Sequence, residues 1–264
     1  MRRITLPSWA VGAIGVAALI AIWWIIALLT PSAGTYTPVP TPLAVAQSIA
    51  ADGFDFFRRN FTVTLQEAGI GYLWGNGIAL VLAALVLVIP SLEGVLTQIG
   101  VVTYCIPIIA LGQIVLVILG GSKVPGGPSM TGIFLAALSV FFTTMVGALL
   151  GFKSADKAAL DVVTVYGGTK FTQLRKVRLI AALPNILNSL QLAVPAAFLG
   201  AILGEYFGKI ETGVGPILVA AQVSLNSPRV WGLFVLCAIV AIIGYGLVGL
   251  LARLVAPWSA GKKN

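Results

Sequence analysis

The chain has 264 residues, of which 59% are hydrophobic and 9% charged, with a mean hydropathy of +1.03. Soluble domains carry about 25% charged residues because a wetted surface must be polar, so the composition excludes a soluble globular protein and points to an all-α integral membrane protein. The formal net charge of +8 does not indicate nucleic-acid binding, because the cations sit at the ends of apolar runs rather than among aromatics along a polar face; with no His and no CxxC spacing around Cys105 or Cys237, neither imidazole acid–base chemistry nor a zinc site is expected.

Six apolar runs have the length of a membrane span: residues 9–29, 69–89, 95–119, 131–150, 186–206 and 230–251. The first is too long for a signal-peptide core and has no clearly placed small-residue cleavage site, so it is expected to remain as a membrane helix. Between the first two runs a Pro- and Thr-rich coil gives way to Thr41-Pro42, a helix N-cap followed by Pro at the first helical position. An outer-surface helix over 42–57 follows, and Phe54, Phe56, Phe57, Arg58 and Arg59 at its end suit a membrane interface, where rings bury and charges stay wet. In the second run Gly69, Gly71, Gly75 and Gly77 invite close helix packing. Pro107 in the third run and Pro195 in the fifth each remove a backbone hydrogen bond and are expected to kink their helices.

Charge orients these spans. If Arg2 and Arg3 hold the N-terminus inside, alternation places residues 151–184 inside, and also the C-terminal tail with Arg253, Lys262 and Lys263. Eleven of the sixteen Lys and Arg residues then face the cytoplasm, as the positive-inside bias expects. The turn from Pro90 to Gly94 carries no basic residue, so spans two and three are oriented only by counting, and a re-entrant pair is an alternative there.

The long basic segment 151–184 has its own pattern. Ala159, Leu160, Val163 and Tyr166 fall at helical spacing; Gly167-Gly168 breaks that helix; and Lys170 to Leu179 forms a second short helix with Phe171, Leu174 and Val177 three apart among Lys170, Arg175, Lys176 and Arg178. Such a hairpin fits either the groove of a partner protein or an anionic lipid surface. The chain has no GxxxxGK[ST] nucleotide loop, so any use of ATP by that route belongs to a partner.

The order Asp161-Val162-Val163, Gly167, Val177, Leu183-Pro184 resembles the EAA loop of binding-protein-dependent ABC importer permeases. Thr169 to Val177 with Ala181-Ala182-Leu183-Pro184, Val39-Pro40-Thr41-Pro42, Tyr104-Cys105-Ile106-Pro107, and Gly204-Glu205-Tyr206-Phe207-Gly208 through Gly213-Val214-Gly215 are similar to the nitrate/sulfonate/taurine branch, in the same order along almost the whole chain. The departures are Asp-Val-Val for Glu-Ala-Ala and Ile180 where the branch has a first Pro.

The resemblance implies a single permease domain over 1–264 in a bacterial plasma (inner) membrane, with both termini cytoplasmic and about six membrane helices. It implies coupling through Asp161, Gly167, Gly168, Phe171, Leu174, Arg175, Val177 and Pro184. The implied partners are ABC ATPase subunits that carry ATP and magnesium, a second permease copy (identical or a paralogue), an extracytoplasmic binding protein and lipid, with no cofactor in this chain itself. A stand-alone channel or secondary carrier is the alternative. Tyr104, Pro107, Gln113 and Glu205 are pathway candidates, with Glu205 alternatively a structural partner of Lys209. Glu67 and Glu93 are expected at solvated membrane boundaries. No Lys or Arg lies within the six runs, so no fixed anion site is expected along the pathway.

Overall fold

The structure is a computed structural model that describes residues 7–32, 36–208 and 210–258. The described residues are helical almost throughout: α1 (Ser8–Leu29), α2 (Pro42–Asp52), α3 (Phe54–Val88), α4 (Leu92–Cys105), α5 (Ile108–Leu119), α6 (Met130–Lys153), α7 (Lys157–Val165), α8 (Lys170–Gln173), α9 (Leu179–Phe207), α10 (Val214–Val223) and α11 (Ser227–Val255). Five helical stretches are long and apolar enough to cross a membrane, and α4 with α5 makes a sixth if that bent pair is one span. By contacts the chain divides into two compact units, one of residues 1–58 and 217–237, the other of residues 59–216 and 238–264.

In the first unit, Thr41 caps α2 by accepting a hydrogen bond from the Ala44 N–H, with Pro42 in the first turn. The outer helix is shorter than expected. Gly53 at φ +78° adopts a conformation that costs other residues a Cβ clash, the chain breaks there, and Phe54 to Arg59 form the first turns of the long helix α3 instead. Asp52 at the end of α2 holds Arg229 in a two-pronged ion pair. The ring of Trp23 stacks on Trp231 at 5.3 Å, and the indole N–H groups of these residues donate to the carbonyls of Pro40 and Pro38.

The second unit is built on close backbone approach. A Cβ on Gly200 would meet the backbone of Leu135 and Ala136, and one on Gly204 would collide with the backbone of Gly132, so α9 lies directly against α6. On α3, Gly71 and Gly75 give the same access to Ala136 and Ala137, whereas Gly69 and Gly77 face open space. Helices in a lipid environment gain little from hydrophobic exclusion and associate through such contacts.

The third run does not merely kink at Pro107. It divides into α4 and α5, bent by 95°, with Pro107 as the residue before α5. The ends of the pair touch opposite ends of α6. Glu93 in the first turn of α4 is ion-paired with Lys153 at the C-terminus of α6, while Gly120 after α5 accepts a hydrogen bond from the Thr131 hydroxyl at the N-terminus of α6, at 2.8 Å. A 24-residue helix is about 36 Å long. α9 runs unbroken through Pro184 and Pro195, and α11 extends to Val255, beyond the expected end of the sixth run.

Candidate functional site

The basic segment folds as its pattern predicts, with one difference. Asp156 caps α7 by accepting from the Ala158 N–H. At the other end Gly167, at φ +75°, closes the helix with the bonds Gly167 N–H to Thr164 and Gly168 N–H to Val163, the paired pattern that a glycine after a helix C-terminus permits. Thr169 then caps α8. The second arm is not a separate short helix. It passes through a π-helical stretch at Leu174–Arg178 and continues into α9, so the arm is the N-terminal extension of a membrane span. Gln173 ties the two arms together, its amide donating to the Leu160 carbonyl at 3.0 Å and the Thr164 hydroxyl at 2.8 Å.

The apolar residues of this hairpin divide by exposure. Ala159, Leu160, Val163, Leu174 and Val177 are half-buried, whereas Val165 is 83% exposed, Tyr166 86% and Phe171 69%, beside the exposed Asp161 and Arg175. Gly167 is exposed and Gly168 half-buried, and Pro184 lies half-buried inside α9. The second arm leans toward the end of α3, leaving a cavity of about 400 Å³ lined by Leu87, Val88, Phe171, Leu174 and Arg178.

At the opposite end of the second unit is a buried polar cluster. Glu205 is 1% exposed; its carboxylate accepts from the Thr64 hydroxyl at 2.6 Å and from the Gly215 N–H at 2.7 Å. Thr64 also accepts from the Val214 N–H at 3.0 Å, and Asn60 accepts from the Gly213 N–H at 3.0 Å. A side chain on Gly213 or Gly215 would overlap Glu205. Glu205 therefore organises the entry to α10 and fastens it to α3. Lys209, its alternative partner, lies outside the described residues.

Glu67 does not lie at a solvated boundary. It is fully buried, accepting from the Ser129 N–H at 2.5 Å, with its second oxygen against Gly132 and without a hydrogen-bond partner among the described residues. Ser129 in turn caps α6 by accepting from the Gly132 N–H at 2.9 Å. The sequence gives no local signal for this cluster, whose members are far apart in the chain. Glu93 is part-exposed as expected, but ion-paired with Lys153. Of the other pathway candidates, Tyr104 is 69% exposed with its ring 4.8 Å from that of Phe142, Pro107 marks the 95° break and Gln113 is exposed on α5; Glu205 is buried, so the four do not share one surface. Among the described residues no group of three or more His, Cys, Asp or Glu side chains is placed to hold a metal ion.

These features meet known proteins along most of the chain. The family model described as "Binding-protein-dependent transport system inner membrane component" matches residues 75–260. The chain is 26% identical over 251 residues to the putative aliphatic sulfonates transport permease protein SsuC of Bacillus subtilis (strain 168), covering 95% of this chain and 88% of that protein. It is 24% identical over 240 residues to the formylaminopyrimidine transport permease protein ThiX of Halalkalibacterium halodurans, covering 91% of this chain and 92% of that one. Its fold matches a chain in the crystal structure of a bacterial alginate ABC transporter in complex with an alginate pentasaccharide-bound periplasmic protein, with a TM-score of 0.60 at 14% identity over 94% of this chain and 95% of that chain. The chain thus belongs to the binding-protein-dependent transport system inner membrane component family, in its nitrate/sulfonate/taurine branch, and is a multi-pass membrane permease subunit of an ABC importer.

Proposed function

We propose that the hairpin of α7 and α8 is the element through which partner ATPases drive this permease. The observation that carries the reading is the exposed apolar tip, Val165 and Tyr166 at the end of α7 and Phe171 at the start of the second arm, the second arm being continuous with a membrane helix. Large apolar side chains grouped in water are a docking surface, and a rigid arm transmits a displacement of that surface to α9. ATP and magnesium are bound by the partner, and closure of an ATPase dimer would draw two such arms together, tilting their spans between inward- and outward-facing arrangements. The two states must then bind the ATPase with different free energies.

In the topology that supports this, α4 and α5 form one broken span, giving six crossings with both termini cytoplasmic. The placement of Glu93 and Gly120 at opposite ends of α6 and the six basic residues of 151–184 support it. The complete importer comprises this permease with a second copy or a paralogue, two ATPases and an extracytoplasmic binding protein. Its solute is a small organic compound, with an organic sulfonate ranked ahead of taurine, nitrate and pyrimidine-like compounds because SsuC, over most of its length, is similar to this chain. The test is gentle extraction of the tagged chain from its native membrane and mass spectrometry of what co-purifies. A Walker-motif subunit at one copy per permease is the expected result; the chain alone in several mild detergents would instead favour a stand-alone channel or carrier.

A further inference from the structure

Three amides, Asn185, Asn188 and Gln191, follow one another three residues apart on the first half of α9. Asn185 and Asn188 are exposed on the single chain. Amide side chains facing hydrocarbon lose their hydrogen bonds at a cost of several kcal/mol, so this side of a membrane helix is one that lipid does not cover. Asn188 and Gln191 border a cavity of about 950 Å³ whose other wall is the last part of α11, with Tyr245, Gly249 and Arg253. The Gln191 amide donates to the Tyr245 carbonyl at 3.3 Å and fits over Gly249, where a Cβ would displace it. At about 30 Å³ per water molecule the space holds tens of waters or a small organic solute with its hydration.

Arg253 is the one charged residue bordering this cavity, and no Asp or Glu borders it. Among the described residues it has no ion-pair partner, in contrast to Lys153 with Glu93 and Arg229 with Asp52. The C-terminus of α11 offsets only part of its charge, since a helix end carries about half an elementary charge. A last span that ends at Leu251 leaves the pathway without a fixed cation, but the helix continues to Val255, and its last turn brings Arg253 to the cavity.

We infer that this vestibule between α9 and α11 is the inner part of the solute pathway, and that it takes solutes bearing an oxyanion group such as a sulfonate or carboxylate. The inference rests on the importer reading and the topology above. Water and the two amides hydrate the solute, while the single guanidinium biases the vestibule toward negative charge.

The test needs no knowledge of the natural solute. In a Cys105→Ser, Cys237→Ser background of the assembled importer, Asn188→Cys, Gln191→Cys and, as a lipid-facing control, Leu19→Cys are exposed in inside-out vesicles to two methanethiosulfonates of similar size, one ending in a sulfonate and one in a trimethylammonium group. Positions 188 and 191 are expected to react while position 19 does not, and the sulfonate reagent to be favoured once each rate is divided by its rate with a free thiol. Adding Arg253→Gln should reduce that preference roughly three- to tenfold, the effect of one partly screened charge, and Arg253→Lys should restore most of it. The inference is overturned if positions 188 and 191 stay as unreactive as position 19, or if Arg253→Gln leaves the preference unchanged. Retention of the ATPase in the same preparations separates these failures from a failure of the importer reading, which would appear as its loss.

Discussion

Replacing Thr64 by Val keeps the shape of the side chain and removes only its hydroxyl, so it tests the buried cluster without opening a cavity. That hydroxyl donates to Glu205 at 2.6 Å and accepts from the Val214 N–H at 3.0 Å. Without it, the Val214 N–H, on a residue 1% exposed, has no acceptor and Glu205 loses one donor. Each buried polar group left unpaired costs about 1–3 kcal/mol, but hydrogen bonds measured in membrane proteins fall toward or below the low end of that range. The expected loss is therefore about 2 kcal/mol for the pair. At roughly 2–4 °C per kcal/mol for a chain of this size, this is a fall of roughly 4–8 °C in the midpoint of thermal unfolding, read by fluorescence-detected size exclusion of a fluorescent fusion in mild detergent. Thr64→Ser keeps the hydroxyl and is expected to lose clearly less. Equal midpoints for Val and the parent, or an equal fall for Ser and Val, would refute the assignment of the stability to these hydrogen bonds.

Three further outcomes follow from the same geometry. Gly204→Val forces a branched side chain into the Gly132 backbone, where overpacking costs about 1–3 kcal/mol or more, while Gly69→Val points into open space; yield and thermal midpoint should fall for the first and hold for the second. Lys153→Gln breaks an ion pair whose side chains are 57% and 38% exposed, so the midpoint should move by no more than the equivalent of about 1 kcal/mol, and a larger fall would show that the contact with α4 is more than a surface pair. Gly167→Pro replaces a residue at φ +75° with one confined near −65°, and Arg175→Glu reverses a charge on the second arm of the hairpin; if the hairpin couples the ATPase to the permease, both are expected to sever ATP hydrolysis from solute uptake in proteoliposomes while membrane insertion is retained. Full uptake in both variants would remove the hairpin from the coupling route.

How far the sequence could be read depended on the range of the interactions involved. Membrane spans are legible because hydrocarbon imposes one requirement on some twenty successive residues, and the ends of α2 and α7 are legible because a cap is a local event: Thr41 with Pro42 in one case, Gly167 with Gly168 in the other. Glu67 and Glu205 show the limit. Each reads as a lone acid at the edge of an apolar run, yet their partners, Ser129, Thr64 and Gly215, include residues as many as 141 positions away. The break at Gly53 was hidden because the Phe- and Arg-rich residues on both sides of it are compatible with one interfacial helix. The charges of the second hairpin arm set it apart from the fifth span in the sequence, although four basic residues in a water-facing helix do nothing to stop it from continuing into a membrane. α10, at ten residues, is too short to register as a span in the sequence.

The coupling claim is tested most directly at Tyr166, which is 86% exposed at the hairpin tip. A photo-cross-linking amino acid placed there, in cells that make the whole importer, should capture the Walker-motif ATPase, and the same group at Leu19 on α1 should not. If Tyr166 yields only lipid adducts while the ATPase still co-purifies with the permease, the hairpin is a membrane-surface loop and the ATPase docks elsewhere.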